Sequence, residues 1–436
     1  MTTVPHRFLF TCWPFVGHVL PQVSIAKALQ DAGHQVAFYT GAGARPLLEP
    51  AGIEVFPFVR VDEDRAAAHM RTLEELPRPG LTGLRLVQRT LHEWLVESIP
   101  SQLADLEPLV EAWRPDVIVT DLSLWSTMVV LWEKVPVPVA LSSTFMGPTI
   151  PGPDAPAAGM GLKPPRTAPG RLAAQAVNKT TDLFARRVRR GVDELRAVHG
   201  LGPLGGSVNH LTARLPLYLV PTVPGLDYHR GDLPASVHYV GPCIWNPPSA
   251  ETAAWLDRVP AGRPWVHVTE STLRSGDAFI LKSAALGLGG LPLEVIMTTG
   301  RHRRLEELGL HDLAPNIRVT PWLNHKELMP RCDVLVTAGG TGTVMAALQA
   351  GVPVVVVPTT WDKPDNARRI VNAGLGVRVP PRRCNPETLR AAVDEVLGDP
   401  GYRRRARAMA AELSAAPGPS GAATLLVEVA GRMAAR

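Results

Sequence analysis

The chain has 436 residues, 45% of them hydrophobic, with a formal net charge of +5. That length supports two or three domains with large cores, and so small a charge excess gives no reason to expect nucleic acid. The two basic clusters, Arg186-Arg187-Val188-Arg189-Arg190 and Arg403-Arg404-Arg405-Ala406-Arg407, lie in helical-looking segments without interleaved aromatics and read as solvated helix faces.

The four cysteines, Cys12, Cys243, Cys332 and Cys384, are far apart and form no metal or redox spacing. A reduced compartment is expected. The N-terminus, MTTVPHRFLFT, runs straight into a strand with no basic leader before an apolar stretch. No apolar run reaches the roughly 18 residues of a membrane span. A cytoplasmic protein without a membrane span is expected, and the Asn178-Lys179-Thr180 sequon then carries no meaning.

The first half alternates strands and helices. Arg7–Thr11 reads as a strand, Val19–Ala32 as a helix, and Gln35–Thr40 and Ile53–Phe58 as strands. Asp116–Thr120 and Val137–Leu141 follow, with a helical Leu122–Lys134 between them. Such repeats predict a parallel sheet covered on both faces. Residues 147–170 are rich in proline and glycine and read as a loop, and Arg171–Val198 as one long amphipathic helix. Prolines crowd 221–250, which reads as the boundary region between domains.

Alternation then restarts. Trp265–Val268 reads as a strand and Phe279–Leu288 as a helix. Leu293–Thr298, Ile317–Val319, Val334–Thr337 and Val354–Val357 are further strands. The tail from Glu387 is helical, broken at Pro417–Ser420. Two doubly wound α/β domains are expected, with ligands beyond the carboxyl ends of the strands. The expected limits are 1–225 for the first domain, 226–250 for the linker and 251–436 for the second.

The strand Val334–Thr337 runs into Ala338-Gly339-Gly340-Thr341-Gly342-Thr343 and a helix. Glycines let backbone N–H groups approach an anion, and a helix N-terminus adds partial positive charge. The Thr341 and Thr343 hydroxyls could donate as well. Trp322, after a strand, could stack on a flat base. The polar stretch Pro358–Asn366, also after a strand, could reach sugar hydroxyls.

This spacing resembles the nucleotide-sugar signature of the GT-B, family-one glycosyltransferases. The matching residues are Trp322, His325, Gly339, Gly340, Thr343, Gly351-Val352-Pro353, Asp362 and Asn366. The resemblance runs through the whole chain, from the early Gly17-His18 to the Tyr239-Val240-Gly241-Pro242 segment. It implies two Rossmann-like domains facing a central cleft, with the C-terminal helices packing back on the first. It implies a donor site built from Thr272, Arg274, Trp322, Leu323, His325, Gly339, Gly340, Thr341, Gly342, Thr343, Trp361, Asp362 and Lys363. There are departures. Ala338 stands where the family has a diphosphate-contacting histidine, and Ala346 where a glutamate grips the ribose hydroxyls. Lys363 replaces a glutamine, Asn324 a proline, and Ser271 a glycine. Thr272, Arg274 and Lys363 are candidate replacements at the diphosphate, although Lys363 also reads as a solvated loop lysine. Without the glutamate a deoxyribose donor becomes at least as plausible as a ribose one, so dTDP- and UDP-sugars both stay open.

His18, in the His18-x-x-Pro21 segment after the first strand, resembles the family's catalytic base. Asp121, ending "VIVTD", resembles its partner. Neutral imidazole can take a proton near pH 7 while a carboxylate orients it. His34 precedes a strand and is assigned no role. Asp62 and Asp64 read as a solvated loop, and the resemblance implies no metal. Trp13, Phe15, Trp94, Trp125, Phe145 and Met146 are candidates to line an apolar acceptor pocket.

The expected protein is an inverting glycosyltransferase acting on a small, largely apolar natural product. It would need no cofactor beyond its nucleotide-sugar co-substrate, bind no nucleic acid, and be a monomer or homodimer. Two other readings stay open: a nucleotide-sugar epimerase or hydrolase on the same fold, and a non-catalytic member that binds a ligand or partner.

Overall fold

The computed structural model of the chain describes residues 5–75, 81–246, 250–270, 277–300, 303 and 307–434. Among the described residues thirteen strands form two sheets, every pairing parallel. The first holds β1 (Arg7–Thr11), β2 (Gln35–Thr40), β3 (Glu54–Pro57), β4 (Val117–Thr120), β5 (Val139–Ser142), β6 (Leu217–Val220) and β7 (Val237–Tyr239). Its order is β3-β2-β1-β4-β5-β6-β7. The second holds β8 (Trp265–Thr269), β9 (Glu294–Thr298), β10 (Ile317–Thr320), β11 (Val334–Thr337), β12 (Val354–Val356) and β13 (Gly376–Arg378), in the order β10-β9-β8-β11-β12-β13.

Each strand order reverses once, between β1 and β4 in the first sheet and between β8 and β11 in the second. At such a point the flanking helices leave to opposite faces and open a crevice at the carboxyl edge. His18 and Asp121 follow β1 and β4; the glycine turn follows β11.

Successive residues of β1 face opposite cores. Leu9 joins Trp13, Tyr39 and Ile118 on one side. Phe8 and Phe10 join Val19, Val23 and Phe38 on the other. That second core also takes Ala422, Leu426 and Val429 from the last helix, Gly418–Ala434. This helix packs back on the first domain, against the Val16–Asp31 helix. The preceding Pro400–Ala415 helix packs on the second domain instead, against Thr341–Gln349.

Three expectations are corrected. The stretch 226–250 contains β7, which pairs with β6 in register Tyr218↔Val237, so the first sheet runs into the expected linker. The long Arg171–Val198 helix is two, Ala168–Phe184 and Arg186–Val198. At the joint the Phe184 carbonyl accepts from the Gln88 side chain, a contact that competes with its helical partner. Leu122–Lys134 is not one α-helix: Thr127–Leu131 forms a π-helical turn before the short Trp132–Lys134 helix. There Thr127 turns its hydroxyl onto Thr120 Oγ1, at 2.7 Å. Among the described residues no helix is long and apolar enough to cross a membrane, and no cluster of His, Cys, Asp and Glu could hold a metal.

Candidate active site

His18 sits in the first turn of the Val16–Asp31 helix, which starts four residues after β1. Asp121 directly follows β4. β1 and β4 are neighbours, so the two side chains meet: His18 Nδ1 lies 2.7 Å from Asp121 Oδ2. Asp121 is fully buried, and His18 keeps 16% of its side chain exposed. The other carboxylate oxygen accepts from Ser123 N at 2.7 Å, Ser123 Oγ at 2.9 Å and Leu124 N at 2.8 Å. Burial pushes the Asp121 carboxyl up, but His18 and the Ser123 donors outweigh it and hold the group below its ordinary range.

An ionised carboxylate only accepts hydrogen bonds, so Nδ1 of His18 carries the proton. The neutral ring then presents Nε2 as a base. Trp13 braces the arrangement, its Nε1 donating to Ser123 O at 3.0 Å. Phe15 lies edge-on to the His18 ring, 5.7 Å between centroids. Cys12 is no competing nucleophile, because burial and the nearby Asp121 charge push its thiol up.

The glycine turn lies on the facing domain. Gly339 has φ +96°, and a Cβ there would come within 2.8 Å of Val356 Cγ1. Gly340 caps the Thr341–Gln349 helix without a side chain, leaving the first N–H groups uncovered. This helix packs against the His18-bearing helix, which brings the turn and the base to one cleft. Thr341 is not open to a phosphate as expected. Its hydroxyl donates to Asp362 Oδ2 at 2.7 Å and lies 3.2 Å from Asn366 Nδ2. Asn366 also donates to Gly339 O at 2.9 Å and fixes the turn from below. Thr343 is half-buried and Gly342 exposed. Ala338 is 2% exposed and Ala346 8%, each packed into a core.

Trp322 is half-buried just beyond β10, and Leu323 is buried. Asn324 caps the next helix, its Oδ1 accepting from Lys326 N at 2.9 Å. His325 faces His267 of β8, 5.7 Å between ring centroids. Burial lowers His325 to about 4. Burial and the neighbouring His325 lower His267 to about 3. His267 Nδ1 donates to Ile296 O at 2.9 Å, and its buried Nε2 has no hydrogen-bond partner. Thr272, Arg274 and Ser271 lie outside the described residues.

Lys363 is the clearest departure from expectation. It is neither solvated nor open to a diphosphate. It is 6% exposed, and its Nζ lies 2.9 Å from Glu74 Oε1 and 3.1 Å from Oε2. Glu74 belongs to the Glu63–Glu75 helix of the first domain and had no motif to mark it. Trp361 next to Asp362 also reaches across, its ring edge-to-face on Trp94 at 5.9 Å. The neighbouring Arg369–Asp227 and Asp365–Gly159 contacts likewise join sequence-distant segments and carried no signal.

The expected acceptor aromatics divide. Trp13, Trp94 and Met146 are buried in packing positions, and Met146 belongs to the second domain's core with Leu226 and Ile370. Trp125 and Phe145 are half-buried, and Phe15 keeps 8% exposure beside His18. A cavity of about 380 Å³, lined by Asp154, Arg166, Arg171, Asp227 and Arg369 among others, contains neither His18 nor the glycine turn.

Two parallel Rossmann-like sheets, a histidine–aspartate pair on one and a glycine turn on the other, are the architecture of a GT-B glycosyltransferase. The comparisons agree. The family of erythromycin biosynthesis protein CIII-like C-terminal domains matches residues 286–429. The 4'-demethylrebeccamycin synthase of Lentzea aerocolonigenes is 33% identical over 413 residues, covering 94% of this chain and 96% of that protein. The solved glycotransferase of kitacinnamycin superposes with a TM-score of 0.74 at 22% identity, covering 98% of this chain and all (100%) of the other. The spinosyn rhamnosyltransferase complexed with thymidine diphosphate superposes at 0.70 and 23% identity, over 97% and 99% of the two chains. The chain belongs to the family-one glycosyltransferases of the bacterial natural-product type and is an enzyme that transfers sugar.

Proposed function

We propose that the protein moves a sugar from a nucleoside diphosphate to a hydroxyl of a natural-product acceptor, with inversion. The observation that carries this is the His18–Asp121 pair, 2.7 Å apart at a switch point of the first sheet. His18 Nε2 removes the acceptor's proton as its oxygen attacks the anomeric carbon. The bond from that carbon to the diphosphate oxygen breaks, and the diphosphate leaves with the electron pair. A single displacement puts the new bond opposite the old one, which inverts the centre. Asp121 holds the tautomer and stabilises the imidazolium that forms.

On the donor side, backbone N–H groups after Gly340 and the positive end of the Thr341–Gln349 helix would receive the diphosphate. Their charge supports a transfer that needs no bound metal. Trp322 offers a half-exposed ring for the base. Ala346 places no carboxylate toward a ribose edge. The relative solved with thymidine diphosphate makes dTDP-sugars the first donors to try, UDP-sugars the second.

The test is a thermal-shift and turnover panel of dTDP-, UDP- and GDP-sugars. Binding to the folded state raises its midpoint. Stabilisation by at least one nucleotide sugar, with turnover that requires an added acceptor hydroxyl, is the expected result. Turnover at full rate without an acceptor would instead mark a hydrolase or epimerase.

A further inference from the structure

The segment from Pro358 to Lys363 touches both halves of the cleft. Towards the donor side, Asp362 accepts from Thr341 at the start of the helix that follows the glycine turn, at 2.7 Å. Towards the first domain, Trp361 lies on Trp94, which lies 6.5 Å from Phe15, the ring beside His18. Trp361 holds a left-handed backbone, φ +60°, which a bulky residue adopts only when its surroundings impose it. The segment therefore lies between the glycine turn and the aromatic residues beside His18.

One carboxylate holds the residues on either side of Trp361. Glu74 is 2% exposed, and both of its oxygens contact Lys363. Oε1 also accepts from Thr359 Oγ1 at 3.3 Å, and Oε2 from Thr360 Oγ1 at 2.5 Å. Three side chains that flank Trp361 and Asp362 are thus gathered by a residue of the opposite domain.

We propose that Glu74 is a positioning residue for the donor sugar. It fixes the Thr359–Lys363 segment from the acceptor domain, so the sugar subsite is complete only when both domains are in place. The nucleoside diphosphate, held by the glycine turn and Trp322, does not depend on it. Lys363 serves as the counter-ion of Glu74 and makes no bond to phosphate. The inference rests on the donor-side reading above.

The test compares dissociation constants for dTDP and dTDP-glucose, and for UDP and UDP-glucose, by calorimetry. Glu74→Gln keeps the shape but leaves the Lys363 ammonium buried without its charge partner. It should weaken the sugar nucleotides at least tenfold, roughly what displacement of a positioning contact costs, and leave free dTDP and UDP within about twofold. The double variant Glu74→Gln/Lys363→Gln, with an amide pair and no stranded charge, should recover part of the loss. Thr360→Val, which removes one of the hydrogen bonds to Glu74 and strands no charge, should show a smaller loss in the same direction. A general structural role would instead weaken nucleotide and sugar nucleotide alike. Equal loss for both ligands, or no loss for either, overturns the inference while leaving the donor reading intact. A native protein that binds neither dTDP nor UDP overturns both.

Discussion

Nδ1 of His18 stands 2.7 Å from Oδ2 of the fully buried Asp121. The carboxylate's second oxygen is filled by Ser123 and Leu124, so its one remaining task is to orient the imidazole. His18→Ala should therefore lower turnover roughly 10²–10⁴-fold. Nucleotide affinity should hold, because the glycine turn lies in the other domain. Asp121→Asn should lose turnover too, since an amide can stabilise the wrong tautomer. Steady-state rates beside calorimetric nucleotide binding check both, and native turnover in His18→Ala would remove it as the base.

Trp322 is half-buried at the carboxyl end of β10. If a nucleobase stacks on it, Trp322→Ala should weaken nucleotide and sugar nucleotide equally, by about 1–3 kcal/mol. Fluorescence titration with dTDP measures this. An unchanged dissociation constant would place the base elsewhere.

Ala346 bears on the choice between deoxyribose and ribose. Ala346→Glu should shift preference toward UDP, because a carboxylate facing the missing 2′-hydroxyl of dTDP stays unpaired, at about 1–3 kcal/mol. The ratio of dTDP and UDP dissociation constants, native against variant, is the measurement. Adding Ala338→His is the poorer design, since Ala338 is 2% exposed among Val334, Val336 and Val355, and an imidazole would overpack that core. A native protein that strongly prefers UDP would mean that another residue reads the ribose.

Gly339 combines φ +96° with a Cβ position 2.8 Å from Val356 Cγ1. Gly339→Ala should cost about 1–3 kcal/mol in stability from the backbone alone, and it should weaken dTDP by shifting the turn. Denaturation and calorimetry read the two effects separately. A variant as stable as the native protein would contradict the backbone geometry.

His267 titrates at about 3 when folded, against an ordinary 6.5. Between those values the unfolded chain binds a proton that the folded chain refuses, so stability falls as pH falls from about 6.5 toward 3. Above 6.5 neither state is protonated and the effect vanishes. The slope is about 1.4 kcal/mol per pH unit for one such group. His267→Gln should flatten it by that amount in urea denaturation between pH 4.5 and 7. An unchanged slope would show that His267 is not the group responsible.

Much of this was legible in sequence because it is local. Strand, glycine turn and helix at Val334–Gln349 follow from hydrophobic runs and glycine spacing; Asp121 stands directly after β4, and His18 opens the helix that follows β1, so both lie at one edge of the sheet. What was hidden depends on partners far along the chain. Nothing near Lys363 announces Glu74, 289 positions away, so the sequence offers only a diphosphate contact or a solvated loop lysine where the structure has a buried ion pair. β7 has three residues and sits among prolines, too short for alternation to show. Trp13 and Trp94 are aromatic for the sake of packing, and residue type alone does not separate that from lining a pocket.

The Gly418–Ala434 helix covers Phe8, Phe10 and Val19 with Ala422, Leu426 and Val429. The strands of the first sheet leave the ribosome well before the helix that shields one of its faces. The amino-terminal half must therefore wait, with part of an oily surface open, until that helix and the whole second sheet before it have been synthesised. A chain cut short before Gly418 would keep its second sheet nearly intact and leave the first half prone to aggregate.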